Sequence, residues 1–263
     1  MSLRGPCAFF LSFLLASSSV CAAEDTDYAR ERQMMVDSQI AARGIKDKRI
    51  LDAVGKIERH KFVPEGMRQY AYEDISLPIG EDEAVPPAYF VSLVAQLAGL
   101  KGKEKVLELG IESGYQAAVL AELSADVYCV EPSQKIALEA GEKLKALGYK
   151  NIKVKTGRVD AGWLEFAPYD VIVITSPIDF APQQAIDQLM PNGRMVMPLR
   201  EYWGKKMVVL TKTPKGKGFE MTGTLVTPLT GEAPSAAAKE TPPKQIDDAK
   251  WETVKGSKWM KKK

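Results

Sequence analysis

At 263 residues, 45% hydrophobic and 27% charged, the chain has the composition of one substantial globular domain with tails. Its formal charge of +2 is unevenly spread: residues 24–230 carry a small acidic excess, and residues 231–263 hold eight lysines against five acidic side chains. No domain-wide basic surface exists, which argues against nucleic acid as the main partner.

The first 23 residues read as an export signal. Arg4 supplies the positive start, Ala8 to Ala16 an apolar stretch too short to span a bilayer, and Ser17 to Ala23 a small-residue cleavage region. The expected mature protein begins at Ala23 or Glu24, is periplasmic or secreted, and has no integral membrane segment. Cys7 and Cys21 leave with the leader, so Cys129 remains as a lone core thiol without a disulfide partner.

Helical signals follow at 26–43, stopped by Arg43-Gly44, and after Asp47, where Ile50, Val54 and Ile57 recur at helical spacing. A loop rich in Pro and Gly runs from Phe62 to Pro87 and precedes an apolar helix from Ala88 to about Leu97. From there the pattern alternates: strand 106–109, helix 116–123, strand 126–130, helix 134–147, strands 152–156 and 171–175, helix 181–189 and strand 194–198. Runs such as Val171-Ile172-Val173-Ile174 are continuously apolar, as strands covered on both faces should be. Segments 206–211 and 219–227, joined by Lys215-Gly216-Lys217-Gly218, read as an antiparallel hairpin closing the sheet. The remainder, 231–263, has too little apolar content to fold and is expected to be a disordered basic tail, leaving 24–230 as the domain.

The most informative stretch is 104–131. A short apolar run, Val106 to Leu109, meets the glycine turn Gly110-Ile111-Glu112-Ser113-Gly114. A helix then starts near Tyr115, and a second apolar run, Val127 to Val130, ends on Glu131. In a parallel α/β sheet this order places a nucleoside-bearing cofactor over the strand ends, with the terminal carboxylate on the ribose hydroxyls. The Val106-Leu107-Glu108-Leu109-Gly110 opening suits S-adenosylmethionine better than a dinucleotide. The candidate cofactor residues are Glu108, Gly110, Ser113, Gly114, Tyr115 and Glu131. No metal site is expected, and no catalytic residue is assigned. His60, the single histidine, reads as structural.

Between Met34 and Leu229 the chain resembles the protein-L-isoaspartate O-methyltransferase family. The carriers are Arg43-Gly44-Ile45, Arg59-His60-Lys61-Phe62-Val63-Pro64, Ala71-Tyr72-Glu73-Asp74, Leu77-Pro78-Ile79-Gly80, Ser113 through Ala121, and Tyr169-Asp170. The resemblance implies an α/β fold with a seven-stranded methyltransferase-type sheet, mostly parallel with an antiparallel C-terminal hairpin, plus N-terminal helices. It also implies methyl transfer from S-adenosylmethionine to the carboxylate of an isoaspartyl residue in a protein or peptide substrate. A monomer is expected.

The chain departs from that pattern at the ligand loops. Pro86 stands where the family places a serine that meets the substrate carboxylate, and Ala84 where it has a threonine, after the acidic run Glu81-Asp82-Glu83. Proline offers neither hydroxyl nor amide hydrogen to a carboxylate. Glu112 replaces the middle glycine of the loop. Arg158 replaces an aspartate that accepts from adenine, with Asp160 the nearest substitute acceptor. Two further readings stay open beside the repair enzyme: an exported, non-catalytic binding module, and methyl transfer to another acceptor.

Overall fold

The computed structural model describes residues 27–80, 83–201, 204–214 and 219–225. The expected leader, the lysine-rich tail and the hairpin loop 215–218 lie outside them.

Helix α1 (residues 27–43) begins as an α-helix, continues through a π-helical stretch, Met35–Ile40, and closes with a 3-10 turn, Ala41–Arg43. Met35, Val36 and Ile40 face the core, and Gly44 stops the helix at φ 95°, a left-handed conformation cheap only for glycine. Helix α2 (Lys48–Lys56) is capped by Asp47, whose carboxylate accepts from the Arg49 amide at 3.0 Å. Within the expected loop, 3-10 turns at Arg59–Phe62 and Glu65–Tyr70 are followed by a two-stranded hairpin. Its strands, β1 (Leu77–Pro78) and β2 (Ala84–Val85), pair antiparallel with Leu77 opposite Val85. Helix α3 (Ala88–Ala98) is apolar on nearly all sides and correspondingly buried at Ala88, from Phe90 to Ala95, and at Ala98.

The main sheet is built from β3 (Lys105–Leu109), β4 (Asp126–Glu131), β5 (Ile152–Thr156), β6 (Tyr169–Ile174), β7 (Leu189–Glu201), β8 (Gly204–Lys212) and β9 (Phe219–Leu225). Its order is β5-β4-β3-β6-β7-β8-β9, the first five parallel and the last two pairings antiparallel. Helices α4 (Tyr115–Leu123), α5 (Gln134–Ala146) and the short α6 (Gln183–Asp187) make the crossovers that parallel strands require.

Alternation along the central strands sends side chains into two cores. Val106, Val127, Cys129, Val171 and Val173 pack with α1 to α4, while Leu107, Leu109, Val130, Ile172 and Ile174 pack with α6 and the 163–166 segment. Each buried Val, Leu or Ile contributes roughly 1.5–3 kcal/mol relative to exposure, so the two layers together dominate the stability of the sheet. The chain runs outward from β3 through β4 to β5, then returns to place β6 on the other side of β3. That reversal opens a crevice at the carboxyl ends of β3 and β6, the usual ligand position in such sheets.

Two expected boundaries move. The helix expected at 181–189 shrinks to Gln183–Asp187, because Pro182 occupies the N-cap and Leu189 already belongs to β7. Strand β7 extends beyond the expected 194–198 by absorbing Pro191, Asn192 and Gly193 at a register shift. Asn192 sits at φ 64°, and a Cβ on Gly193 would lie 2.8 Å from the Met190 carbonyl oxygen, so glycine is required there.

A polar knot fastens α1 to the body. The Tyr28 ring stacks on His60 with centroids 4.2 Å apart, and the Tyr72 hydroxyl meets His60 Nδ1 at 2.8 Å while accepting from Arg32 at 3.2 Å. His60 is 5% exposed, and burial is the main cause holding its pKa below 6.5. The folded protein therefore favours neutral His60. Its contribution is complete above pH 6.5 and is lost as pH falls through the depressed folded value. The melting temperature is expected to decline between pH 7 and 5, the His60 share amounting to at most about 1.4 kcal/mol per pH unit. A His60→Phe variant, which keeps the stack and removes the titration, should show a shallower decline. Equal slopes in thermal melts of the two proteins would exclude His60 as the cause.

Candidate cofactor and acceptor site

At the switch point the loop after β3 is held from both neighbouring strands. The Gly110 amide donates to Val130 O at 2.8 Å, and the Thr175 hydroxyl bonds Gly110 O at 2.9 Å and Leu109 O at 3.1 Å. Gly110 lies at φ 92°, and a Cβ there would overlap the Thr175 hydroxyl. Glycine is thus demanded by backbone conformation and by close approach together. A turn closed by the Gly114 amide on Ile111 O at 2.9 Å leads into α4, and Ser113 Oγ accepts from the Tyr115 amide at 3.2 Å.

Glu131 ends β4 beside this turn, 7% exposed. Its two carboxylate oxygens accept from separate backbone amides, Oε2 from Ile111 and Oε1 from Ser133, each at 3.0 Å. Each oxygen has a second lone-pair position, so the side chain is fixed in orientation and still offers two adjacent acceptors. That arrangement matches the vicinal hydroxyls of a ribose. The Gly157 amide on Glu131 O at 2.9 Å ties in the loop after β5.

Glu108 and Tyr115 take a different place from the one expected of them. Glu108 is fully buried under α4, where Oε1 accepts from Gln116 Nε2 at 3.1 Å and Oε2 from the Cys129 thiol at 3.3 Å. Burial, reinforced by the nearby Glu112 and Glu131 carboxylates, pushes its pKa up to about 8, so it is predominantly protonated at neutral pH. The Tyr115 ring is 1% exposed, packs edge-on against Phe62 at 5.6 Å, and lies under the Arg59 guanidinium at 4.8 Å. Neither side chain is exposed at the crevice. Both support the loop from behind, because strand alternation and the start of α4 turn them into the core. Gly110, Ser113, Gly114 and Glu131 do converge. Thr175 escaped the sequence reading; its one signal was a hydroxyl ending an apolar run, at the carboxyl end of the strand next to β3.

The acceptor side is built by the β1–β2 hairpin and the start of α3. Of the acidic run, Glu81 and Asp82 lie outside the described residues. Glu83 accepts the Ile79 amide through its backbone at 2.9 Å. Pro86 follows β2 directly and is half-buried, with Pro87 as the cap of α3. The Ser92 hydroxyl does not take over, being fully buried and bonded to Ala88 O at 2.8 Å, while the Tyr89 ring carries the Arg43 guanidinium 3.5 Å from its centroid. In the loop after β5, Asp160 is paired with Arg158 through two hydrogen bonds, at 3.0 and 2.5 Å.

Residues 30–232 match the sequence profile of the family described as Protein-L-isoaspartate(D-aspartate) O-methyltransferase. The chain belongs to that family. A "Protein-L-isoaspartate O-methyltransferase 2" of Geotalea uraniireducens (strain Rf4) is 47% identical over 190 residues, covering 72% of this chain and 87% of the relative. A protein of the same description from Shewanella sediminis (strain HAW-EB3) is 39% identical over 231 residues, covering 85% and 94%. Among solved structures, a protein-L-isoaspartate O-methyltransferase superposes with a TM-score of 0.68 at 26% identity, over 76% of this chain and 64% of that one. A Plasmodium falciparum protein in complex with S-adenosyl-L-homocysteine superposes at 0.63 with 17% identity, over 75% and 97%, a likeness of fold. The cofactor of the family is S-adenosylmethionine, and the paired acceptors of Glu131 beside the turn after β3 fit its nucleoside end.

Proposed function

We propose that this protein is an S-adenosylmethionine-dependent carboxyl methyltransferase of the isoaspartyl-repair type, exported, monomeric, and acting on protein or peptide substrates. The observation that carries the reading is the geometry at Glu131. One carboxylate ties the loops after β3 and β4 together and presents two acceptors beside Gly110 at the switch point. The cofactor, when bound, supplies an electrophilic methyl group to a carboxylate oxygen.

The chain's own residues do the rest by placement. Glu131 would hold the ribose hydroxyls. Gly110 and Gly114 let the loop pack tightly against Thr175 and Leu144, and the Thr175 hydroxyl fastens it. The nucleophile is the substrate's own carboxylate, which is ionised at neutral pH, so no side chain need act as a general base. The task left to the protein is alignment of two ligands, a large contribution in bimolecular reactions. The direct test measures S-adenosylhomocysteine formation with an isoaspartyl peptide and its aspartyl counterpart. Formation dependent on the isoaspartyl peptide supports the reading, and none with either peptide counts against it.

Pro86 at the acceptor loop favours a second reading, an exported binding module that keeps the cofactor pocket. Cofactor binding together with silence toward every carboxyl acceptor would select it. Export itself is tested by intact mass: the mature chain should begin at Ala23 or Glu24, and a full-length chain confined to the cytoplasm would remove this part of the proposal.

A further inference from the structure

Arg59 is the largest fully buried side chain among the described residues, at 0% exposure. Taking a guanidinium out of water is costly, and exchanging a buried ion for an apolar side chain of similar volume is often neutral for folding. Packing alone therefore gives no reason for an arginine here. Its donors are also poorly served. Nε donates to Ala71 O at 2.7 Å, while Nη1 and Nη2 reach hydrogen-bond geometry with no partner among the described residues.

What Arg59 touches lies on both sides of the candidate site. On the cofactor side its guanidinium covers the Tyr115 ring, 4.8 Å from the centroid. Phe62, from the same 3-10 turn, packs edge-on against that ring at 5.6 Å. Tyr115 follows Gly114 directly and opens α4 with its amide on Ser113 Oγ, so the ring is tied to the cofactor turn. On the acceptor side, Ala71 begins the stem of the β1–β2 hairpin. Gln39 and Arg43 fasten that stem to α1, through Tyr72 O at 2.8 Å and Asp74 at 2.6 Å. Arg59 fastens it to the cofactor turn. The Tyr115 hydroxyl, likewise buried, interacts with the guanidinium without reaching hydrogen-bond geometry. A small movement of the turn toward Arg59 would close that contact into a charge-assisted bond.

We propose that Arg59 is a positioning residue through which the acceptor hairpin senses the cofactor. A ligand seated on the turn after β3 holds Tyr115, Tyr115 holds Arg59, and Arg59 holds the hairpin stem in place for the acceptor. The inference rests on the cofactor reading above and adds to it a coupling between the two ligand sites. Where catalysis is chiefly the alignment of two ligands, such a tie acts on the step that matters.

The test is amide hydrogen exchange in the hairpin, with the Ile79 amide, bonded to Glu83 O at 2.9 Å, as the reporter. It is measured on the purified mature protein with and without S-adenosylhomocysteine, beside Arg59→Met and Arg59→Lys. Calorimetry gives the ligand affinity and thermal melts show the fold. In the parent, saturating ligand is expected to slow exchange at Ile79 about tenfold. Arg59→Met keeps most of the volume and loses the bridge. Arg59→Lys keeps the charge, but a lone ammonium cannot donate to Ala71 O and lie flat over Tyr115 as well. Both variants should bind the ligand within about threefold of the parent and lose the slowing. A merely structural arginine would, on removal, lower the melting temperature and leave the ligand-dependent slowing as it was. Ligand bound to the parent without slowing, or slowing retained in Arg59→Met, would overturn the role of Arg59 and leave the cofactor reading intact. Should Arg59→Met fail to fold, retention in Arg59→Lys decides in the same way. Failure of the folded parent to bind the ligand would overturn both.

Discussion

Replacing Glu131 with alanine is expected to abolish measurable cofactor binding. The substitution removes two charge-assisted acceptors for the ribose, each worth roughly 1.5–3 kcal/mol. It also strands the Ile111 and Ser133 amides that now donate to the carboxylate at 3.0 Å, loosening both loops at once. The two contacts together amount to roughly 3–6 kcal/mol, about a hundred- to twenty-thousandfold in affinity. Glu131→Gln retains one acceptor and much of the shape, and should lose about tenfold. Calorimetry with S-adenosylhomocysteine reads both. Alanine binding within a few-fold of the parent would show that the ribose lies elsewhere and would displace Glu131 from the centre of the site. Some loss of thermal stability should accompany both variants, since the glutamine NH2 cannot accept from Ile111 or Ser133 either, so melts are read beside the titrations.

The second large effect is expected on the acceptor side. With proline at 86 and alanine at 84, the hairpin offers no side-chain donor to a substrate carboxylate from either position, and the nearby Ser92 hydroxyl is committed to Ala88 O. Pro86→Ser combined with Ala84→Thr should raise kcat/KM for an isoaspartyl peptide by about ten- to a hundredfold, the worth of one charge-assisted hydrogen bond. The gain should appear with cofactor affinity unchanged, because the hairpin and the loop after β3 are separate elements. A parent already as active as the double variant would show that backbone amides alone hold the acceptor, and the remodelled-loop argument would fall. Silence from both proteins, with cofactor bound, would favour the binding-module reading.

The two sides of the site were unequally legible in the sequence. The strand–turn–helix–strand order at 104–131 carries its own periodicity and glycine punctuation, and the structure reproduces it within a residue at most boundaries. The stop of α1 at Gly44 and the Asp47 cap of α2 were equally plain, since left-handed glycine and a capping aspartate act locally. The β1–β2 hairpin was not legible. Each strand has two residues, one of them includes Pro78, and its order comes from burying Leu77 and Val85 in the core rather than from any repeating pattern. Strand β7 hides Pro191 and Gly193, ordinary breakers that here form an irregularity inside the strand. Within the candidate set, the spacing put Glu108 and Tyr115 near the turn, but which way each side chain faced depended on the sheet beneath α4. That is a tertiary fact, and it turned both inward.

Cys129 is fully buried, donates to Glu108, and has a pKa raised well above that of a free thiol by burial and by the neighbouring carboxyl. Only the thiolate reacts with oxidants or alkylating agents, so in the folded protein this sulfur is chemically silent even in an oxidising compartment. It is also the only cysteine after residue 21. The chain therefore carries a built-in clock for its own opening. In a protein purified without residues 1–23, and so without Cys7 and Cys21, a single mass increment under brief exposure to an alkylating reagent should accumulate at the rate at which molecules unfold far enough to bare β4. Conformational stability can then be followed by mass alone, in crude mixtures, without attaching a probe or altering a residue.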